Sequence, residues 1–229
     1  MAKNDFSAEV ASNYEQKCLC VLVLDVSGSM SGPPMTELNN GLQSFYKEIE
    51  DDSTTSQRLE VSLITFNELP KTVQEPALVE NFKMPTLVAG GTTAMVDAVK
   101  EAIAKVAARK AWYKETSQLY YRPWIILMTD GAPDDGQDVD GLSNIIKSDM
   151  DAKKYVFLPI GVEGADMSVL DRITGSINNN KMGPMMLKGT KFGEFFKWLS
   201  ASMGTVVESE EGKTVSLPNP GGWMDSFTI

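Results

Sequence analysis

From about residue 17 onward, short continuous apolar runs alternate with longer stretches whose apolar residues return every three or four positions. The first pattern reads as buried strand and the second as amphipathic helix. Their alternation predicts a mostly parallel sheet covered by helices on both faces. Lys17 to Asp25 (KCLCVLVLD) is one such run, and it closes on a carboxylate, as a central parallel strand can. Leu38, Leu42, Phe45 and Ile49 then share one helical face. Arg58 to Phe66 (RLEVSLITF) predicts a second strand. A short third strand near Thr72 to Gln74 is expected as an antiparallel edge, because the few intervening residues permit a hairpin but no crossover helix.

A loop containing Pro and Gly, from Met84 to Thr93, precedes a helix carrying Val96, Val99, Ile103 and Val106. Pro123 to Asp130 (PWIILMTD) is another buried strand ending in a carboxylate, and a Gly-, Pro- and Asp-rich loop leads from it to a helix presenting Leu142, Ile145, Ile146 and Met150. Tyr155 to Gly161 reads as strand, Met167 to Thr174 as short helix and Met185 to Leu187 as a last short strand. Phe192 to Met203 makes the final helix, with Phe195, Phe196 and Leu199 on one face. The expected fold is therefore α/β, Rossmann-like and doubly wound, with one short antiparallel edge strand. It occupies residues 17–205, between an N-terminal segment (1–16) and a C-terminal tail (206–229). The tail opens with an acidic linker, Glu208 to Gly212, and continues through Pro218, Pro220, Gly221, Gly222 and Trp223 as a loosely docked arm.

Composition narrows the function classes. The 229 residues are 42% hydrophobic, ample for one sizeable core. Net charge is -10, from 31 acidic and 21 basic residues, and the basic ones form no stripe. Such a surface repels phosphates, which argues against nucleic acid or an anionic membrane as partner. No apolar run approaches the roughly 20 residues that span a bilayer. Met1 to Gln16 is polar and mixed in charge, unlike a signal peptide, so a cytoplasmic location is expected. Cys18 and Cys20 stand two apart on one strand and point the same way, which disfavours a bridge and predicts buried reduced thiols. The chain contains no histidine. That excludes Ser-His-Asp and Cys-His catalysis and most zinc sites, and leaves oxygen ligands and hard metals as the available chemistry.

Three loops supply such oxygens. Asp25-Val-Ser27-Gly-Ser29 follows the first strand, Gly90-Gly91-Thr92-Thr93 precedes a helix, and Thr129-Asp130-Gly131 closes the strand from Pro123. Alternate side chains of an extended segment share a face, so Asp25, Ser27 and Ser29 can converge while Gly28 permits a tight turn. Each loop taken singly also reads as a turn or a helix cap. Together, at the strand ends where ligands bind in open α/β sheets, they offer hydroxyls and carboxylates suited to Mg²⁺ or Mn²⁺.

The order DVSGSM, AGGTTAMVDAV and IILMTDGAPDD resembles the metal-ion-dependent adhesion site (MIDAS) of von Willebrand factor A (vWA) domains. The strand and helix order agrees with that family over about residues 17 to 204. The resemblance implies that Ser27, Ser29 and a threonine ligate the metal and that Asp25 and Asp130 act mostly through water. The helix register after the loop, with Asp97 and Ala98, favours Thr93; counting from the glycine pair gives Thr92. It further implies a protein partner that supplies an Asp or Glu to the ion. Met30 at the loop tip is expected to form part of the apolar rim around the partner's carboxylate, with Asp134 and Asp135 tuning partner choice. YRPWIILMTDGAPDD, the LPIGV strand and KFGEFFKWLSASM are similar to bacterial TerY-type proteins of tellurite resistance and stress response. That similarity makes an associated protein kinase or phosphatase a candidate partner.

Other readings of the same residues are weaker. Asp134, Asp135, Asp138 and Asp140 crowd one loop, but the register that fits a calcium loop starts at Gly136 and ends at Lys147, where acidic residues are required. Gly212-Lys213-Thr214 lacks the earlier glycine of a phosphate-binding loop, Val207 standing there instead. The thirteen methionines fall mostly on predicted core faces or in isolated loops, as packing residues would. Two alternatives stay open. One is a Mg²⁺-dependent phosphoryl-transfer enzyme with Asp25 as nucleophile, although Ser27 stands where such enzymes place a general acid. The other is a metal-free structural subunit whose loops only cap helices.

Overall fold

The computed structural model describes residues 6, 9, 13–174, 183–209 and 215–221. Trp223, Gly222, the Gly212–Thr214 segment and the acidic stretch 210–212 lie outside the described residues. Six strands form one sheet: β1 (Cys18–Asp25), β2 (Leu59–Phe66), β3 (Pro70–Leu78), β4 (Trp124–Thr129), β5 (Val156–Gly161) and β6 (Met185–Met186). Their order is β3-β2-β1-β4-β5-β6. Every pairing is parallel except β2 with β3. Helices α1 (Pro33–Asp51), α2 (Thr55–Arg58), α3 (Met95–Glu115), α4 (Val139–Asp151), α5 (Met167–Thr174) and α6 (Phe192–Glu208) complete the expected α/β architecture. Strand order reverses between β1 and β4, the kind of switch point outside whose carboxyl ends ligands bind in open α/β sheets.

β1 is buried on both faces, and its alternation divides the core in two. Cys18, Cys20, Leu22 and Leu24 face a layer built with α1 and α6, where Leu38, Leu42, Phe45 and Ile49 meet Phe195, Phe196 and Leu199. Leu19, Val21 and Val23 face the opposite layer, with Val96, Val99 and Val106 of α3 and Leu142 and Ile146 of α4. Both cysteines are buried and unbridged. Close packing of the helix pair α1–α6 requires Gly41, because a Cβ there would sit 2.6 Å from the Phe196 ring.

Some boundaries differ from those expected. β3 runs to Leu78, beyond the predicted Thr72–Gln74, because two register shifts opposite Val61–Ile64 absorb extra residues and Pro76, which has no N–H to donate, is tolerated on an edge. Ile145 is exposed rather than part of the α4 core face. α6 continues past Met203 to Glu208, through the expected domain boundary at 205. Its end is fastened: Arg58 Nη1 and Tyr121 Oη donate to Val207 O at 2.6 and 3.0 Å. The described part of the tail returns to the core, with Trp198 Nε1 donating to Pro218 O at 2.8 Å and Val215 and Leu217 packed against the α1–α6 layer.

At the amino ends of the strands lies a closed polar cluster. Arg109 of α3 forks onto Glu60 at 2.7 and 2.8 Å and onto Glu9 at 2.5 and 3.0 Å. Tyr113 Oη donates to Glu60 Oε2 at 2.5 Å, and the guanidinium lies 4.0 Å from the Trp112 ring centroid. Glu15 pairs with Arg58 at 2.7 Å. Glu9 and Glu15 of the N-terminal segment are thus held by ion pairs to the domain.

Candidate metal centre

The three oxygen-rich loops converge at the carboxyl ends of β1 and β4, on either side of the strand-order reversal. Asp25 ends β1 and is fully buried. Its Oδ1 accepts from Ser27 N at 2.8 Å, and its Oδ2 accepts from Thr129 Oγ1 at 2.5 Å. Burial pushes its pKa up; the hydrogen bonds from Ser27 and Thr129 pull it back down, and the nearby Asp130 charge adds to the rise. A single 3-10 turn, Gly28–Met30, follows the strand. Ser27 Oγ lies 3.0 Å from Ser29 Oγ, which donates to Asp130 Oδ1 at 2.8 Å. Ser27 and Asp130 are buried, whereas Ser29 faces outward.

The glycine loop is stitched to β1 by two backbone bonds, Gly28 N to Gly91 O at 3.0 Å and Gly90 N to Val26 O at 2.8 Å. Gly91 needs its glycine: its φ is +88°, and a Cβ would lie 2.6 Å from the Glu68 carboxylate. Asn67 secures the same loop, donating to Gly90 O at 3.0 Å and accepting from Ala94 N at 2.7 Å. Thr93 reaches the third loop, since a Cβ on Gly131 would lie 3.9 Å from Thr93 Oγ1. Among the described residues no hydrogen bond engages that hydroxyl. Thr92 is exposed, and no bond among the described residues ties it to the site.

None of these hydroxyls caps a helix. The N-cap of α3 is Ala94, that of α1 is Gly32, and neither those positions nor Ser27 makes a side-chain capping bond. As helix caps these loops fail on geometry, while as turns two of them hold: Asp25 Oδ1 accepts from Ser27 N at 2.8 Å and Thr129 Oγ1 from Gly131 N at 3.2 Å. The oxygens do suit a hard metal: the Ser27 and Ser29 hydroxyls stand 3.0 Å apart, the spacing of neighbouring ligands in an octahedral Mg²⁺ shell at about 2.8–3.0 Å, and Asp130 accepts from Ser29 at 2.8 Å as an orienting partner would.

Met30 is a correction. It is fully buried among α1-side core residues, because the 3-10 turn rotates it inward, so it supplies no apolar rim. Asp134 is exposed but engaged, accepting from Thr93 N at 2.9 Å; Asp135 is exposed. Thr129, Asn67 and Gln137 were not singled out from sequence as site residues. Thr129 had a signal, its place beside Asp130 at a strand end; Asn67 and Gln137 act through loops distant in sequence.

Solved structures share this fold. The vWF domain of the type V pili tip protein Mfa5 from Porphyromonas gingivalis matches with a TM-score of 0.59 over 88% of this chain and 99% of its own, at 10% identity. Proximal thread matrix protein 1 from the mussel byssus, with a zinc-occupied MIDAS motif, matches with a TM-score of 0.55 over 86% of this chain and 46% of its own, at 18% identity. The ArnB paralog VWA2 from Sulfolobus acidocaldarius gives 0.51 over 83% and 46%, at 15% identity. This chain thus spans about half the length of the latter two, and at these identities the likeness is one of fold. No protein of curated function matches in sequence. The sequence profile of the von Willebrand factor type A domain, however, matches residues 20–192, and the chain belongs to that family of metal-dependent protein-interaction modules.

Proposed function

We propose that this protein is a non-enzymatic docking module that holds Mg²⁺ or Mn²⁺ with Ser27, Ser29 and Thr93, supported by Asp25 and Asp130, and uses the ion to bind an acidic side chain of a protein partner. The observation that carries it is the chain of oxygens from Ser27 through Ser29 to Asp130, together with an unengaged Thr93 hydroxyl beside it. The ion would supply a Lewis-acidic position that favours a carboxylate. The protein's own part is orientation. Thr129 and the Ser27 amide fix both oxygens of Asp25, so its negative charge is held beneath the hydroxyls.

The geometry disfavours Asp25 as a phosphoryl acceptor, because its carboxylate is fully buried and turned onto the Ser27 amide and the Thr129 hydroxyl, out of reach of an incoming phosphate. The similarity of the YRPWIILMTDGAPDD, LPIGV and KFGEFFKWLSASM segments to TerY-type proteins supports placing the module in a cytoplasmic tellurite-resistance or stress-response system, with an associated kinase or phosphatase as partner. Among the described residues no helix is long and apolar enough to cross a membrane.

Calorimetry tests the reading directly. Ser27→Ala and Asp25→Ala are expected to weaken Mg²⁺ binding and to abolish magnesium-dependent partner capture while circular dichroism stays native. Unchanged metal binding in both variants would sink the proposal, and turnover of a phosphate ester above background would replace it with the enzyme.

A further inference from the structure

Helix α3 starts at Met95, and its N-cap, Ala94, has no side-chain acceptor for the exposed amides of the first turn. The acceptor comes from elsewhere. Gln137, in the β4–α4 loop and 41 residues from Val96, accepts from Val96 N through Oε1 at 2.6 Å. Its Nε2 donates to Thr93 O at 2.7 Å. Asp134, in the same loop, completes the contact: its Oδ2 accepts from Thr93 N at 2.9 Å and its own N–H donates to Thr93 O at 3.1 Å. The two are joined, Gln137 N donating to Asp134 O at 3.4 Å. Both polar groups of the Thr93 backbone are therefore gripped by the loop that begins at Asp130, while the Thr93 hydroxyl is left unengaged.

We infer that Asp134 and Gln137 are positioning residues that clamp Thr93 against the Asp130 loop and thereby set the affinity of the metal centre. This rests on the metal-binding reading. A ligand hydroxyl contributes fully only when it is placed before the ion arrives, and the backbone clamp fixes the position from which the Thr93 side chain extends without occupying its hydroxyl. Glutamine suits the task because one amide supplies an acceptor to Val96 and a donor to Thr93. Glutamate at this position would keep the acceptor and lose the donor.

The test is Mg²⁺ titration by calorimetry, with thermal melting alongside, on the full chain. Gln137→Ala is expected to weaken Mg²⁺ binding about tenfold or more, and Gln137→Glu to weaken it while retaining the cap on α3. Asp138→Ala, which removes the side chain that caps α4 at 2.8 Å from Gly141 N, should lower the melting temperature and leave Mg²⁺ affinity unchanged. The inference is overturned if both Gln137 variants bind Mg²⁺ like the native protein while Ser29→Ala does not. It is equally overturned if Asp138→Ala weakens binding as much as Gln137→Ala, since the effect would then be general loop damage. Native binding by Ser29→Ala would instead reject the metal reading itself.

Discussion

Two polar clusters sit at opposite ends of the sheet, one around Arg109 and Glu60 near the start of β2, the other around Asp25 and Asp130 beyond the ends of β1 and β4. The length of β2 from Glu60 to Phe66 sets them about 20 Å apart. In the first, the guanidinium meets two carboxylates and an aromatic face, the Tyr113 hydroxyl donates to one of those carboxylates, and charge and hydrogen bonds close upon themselves. In the second, two carboxylates, Asp25 and Asp130, lie among four hydroxyls, those of Ser27, Ser29, Thr129 and Thr93, with no cation among the described side chains, and among the described residues the Thr93 hydroxyl has no partner. Both clusters are polar and largely buried, so burial does not tell them apart. Completeness does: the first cluster satisfies its own groups, while the second leaves the Thr93 hydroxyl available, as the proposed ligand site requires.

The sharpest way to break that contrast is to remove Arg109. Arg109→Ala leaves Glu60 buried without a counter-charge and is expected to cost about 3–5 kcal/mol in denaturant unfolding, with no change in Mg²⁺ affinity for the fraction that folds. A smaller and opposite signature belongs to Asp25→Asn. Burial holds the Asp25 pKa above its ordinary value, so its ionised form costs stability that appears as pH rises from the usual carboxylate range through the raised pKa. Asp25→Asn should therefore raise the metal-free melting temperature at neutral pH and flatten its decline over that window. It should also lower Mg²⁺ affinity by about ten- to hundred-fold. A variant that loses both stability and metal binding would place Asp25 with the structural cluster. The smallest effect is expected at the solvent side of the Arg109 network. The Glu9 side chain is 41% exposed, so Glu9→Gln should cost about 1 kcal/mol or less. A loss as large as that of Arg109→Ala would show that the N-terminal segment is integral to the cluster.

The parts of this design that were legible in the sequence are those written locally. The run from Lys17 to Asp25, the α1 face through Ile49 and the order of the three loops all follow from periodicity or spacing within a few residues. Met30 misled because its position after Ser29 suggests a loop tip, whereas one 3-10 turn suffices to swing it into the core. Pro76 and the irregular pairing with β2 hid the true length of β3. Gln137 was invisible for a different reason: its partners lie 41 and 44 residues back, and the one local sign was negative, a helix whose N-cap is alanine. Thr93 and Thr92 are alike by type; the helix register favours Thr93, whose hydroxyl lies beside Gly131, whereas Thr92 is exposed.

Cys18 and Cys20 offer a clock. Both are fully buried on the strand that ends in Asp25, and burial pushes the Cys18 thiol up to about 12 and the Cys20 thiol well above its ordinary value. A thiol that is neither ionised nor reachable does not react with an alkylating reagent in the native state. Modification must then wait for β1 to leave the sheet, so its rate counts excursions of the central strand without any probe being added to the chain. An ion or partner seated at the far end of the same strand would lengthen the interval between those excursions.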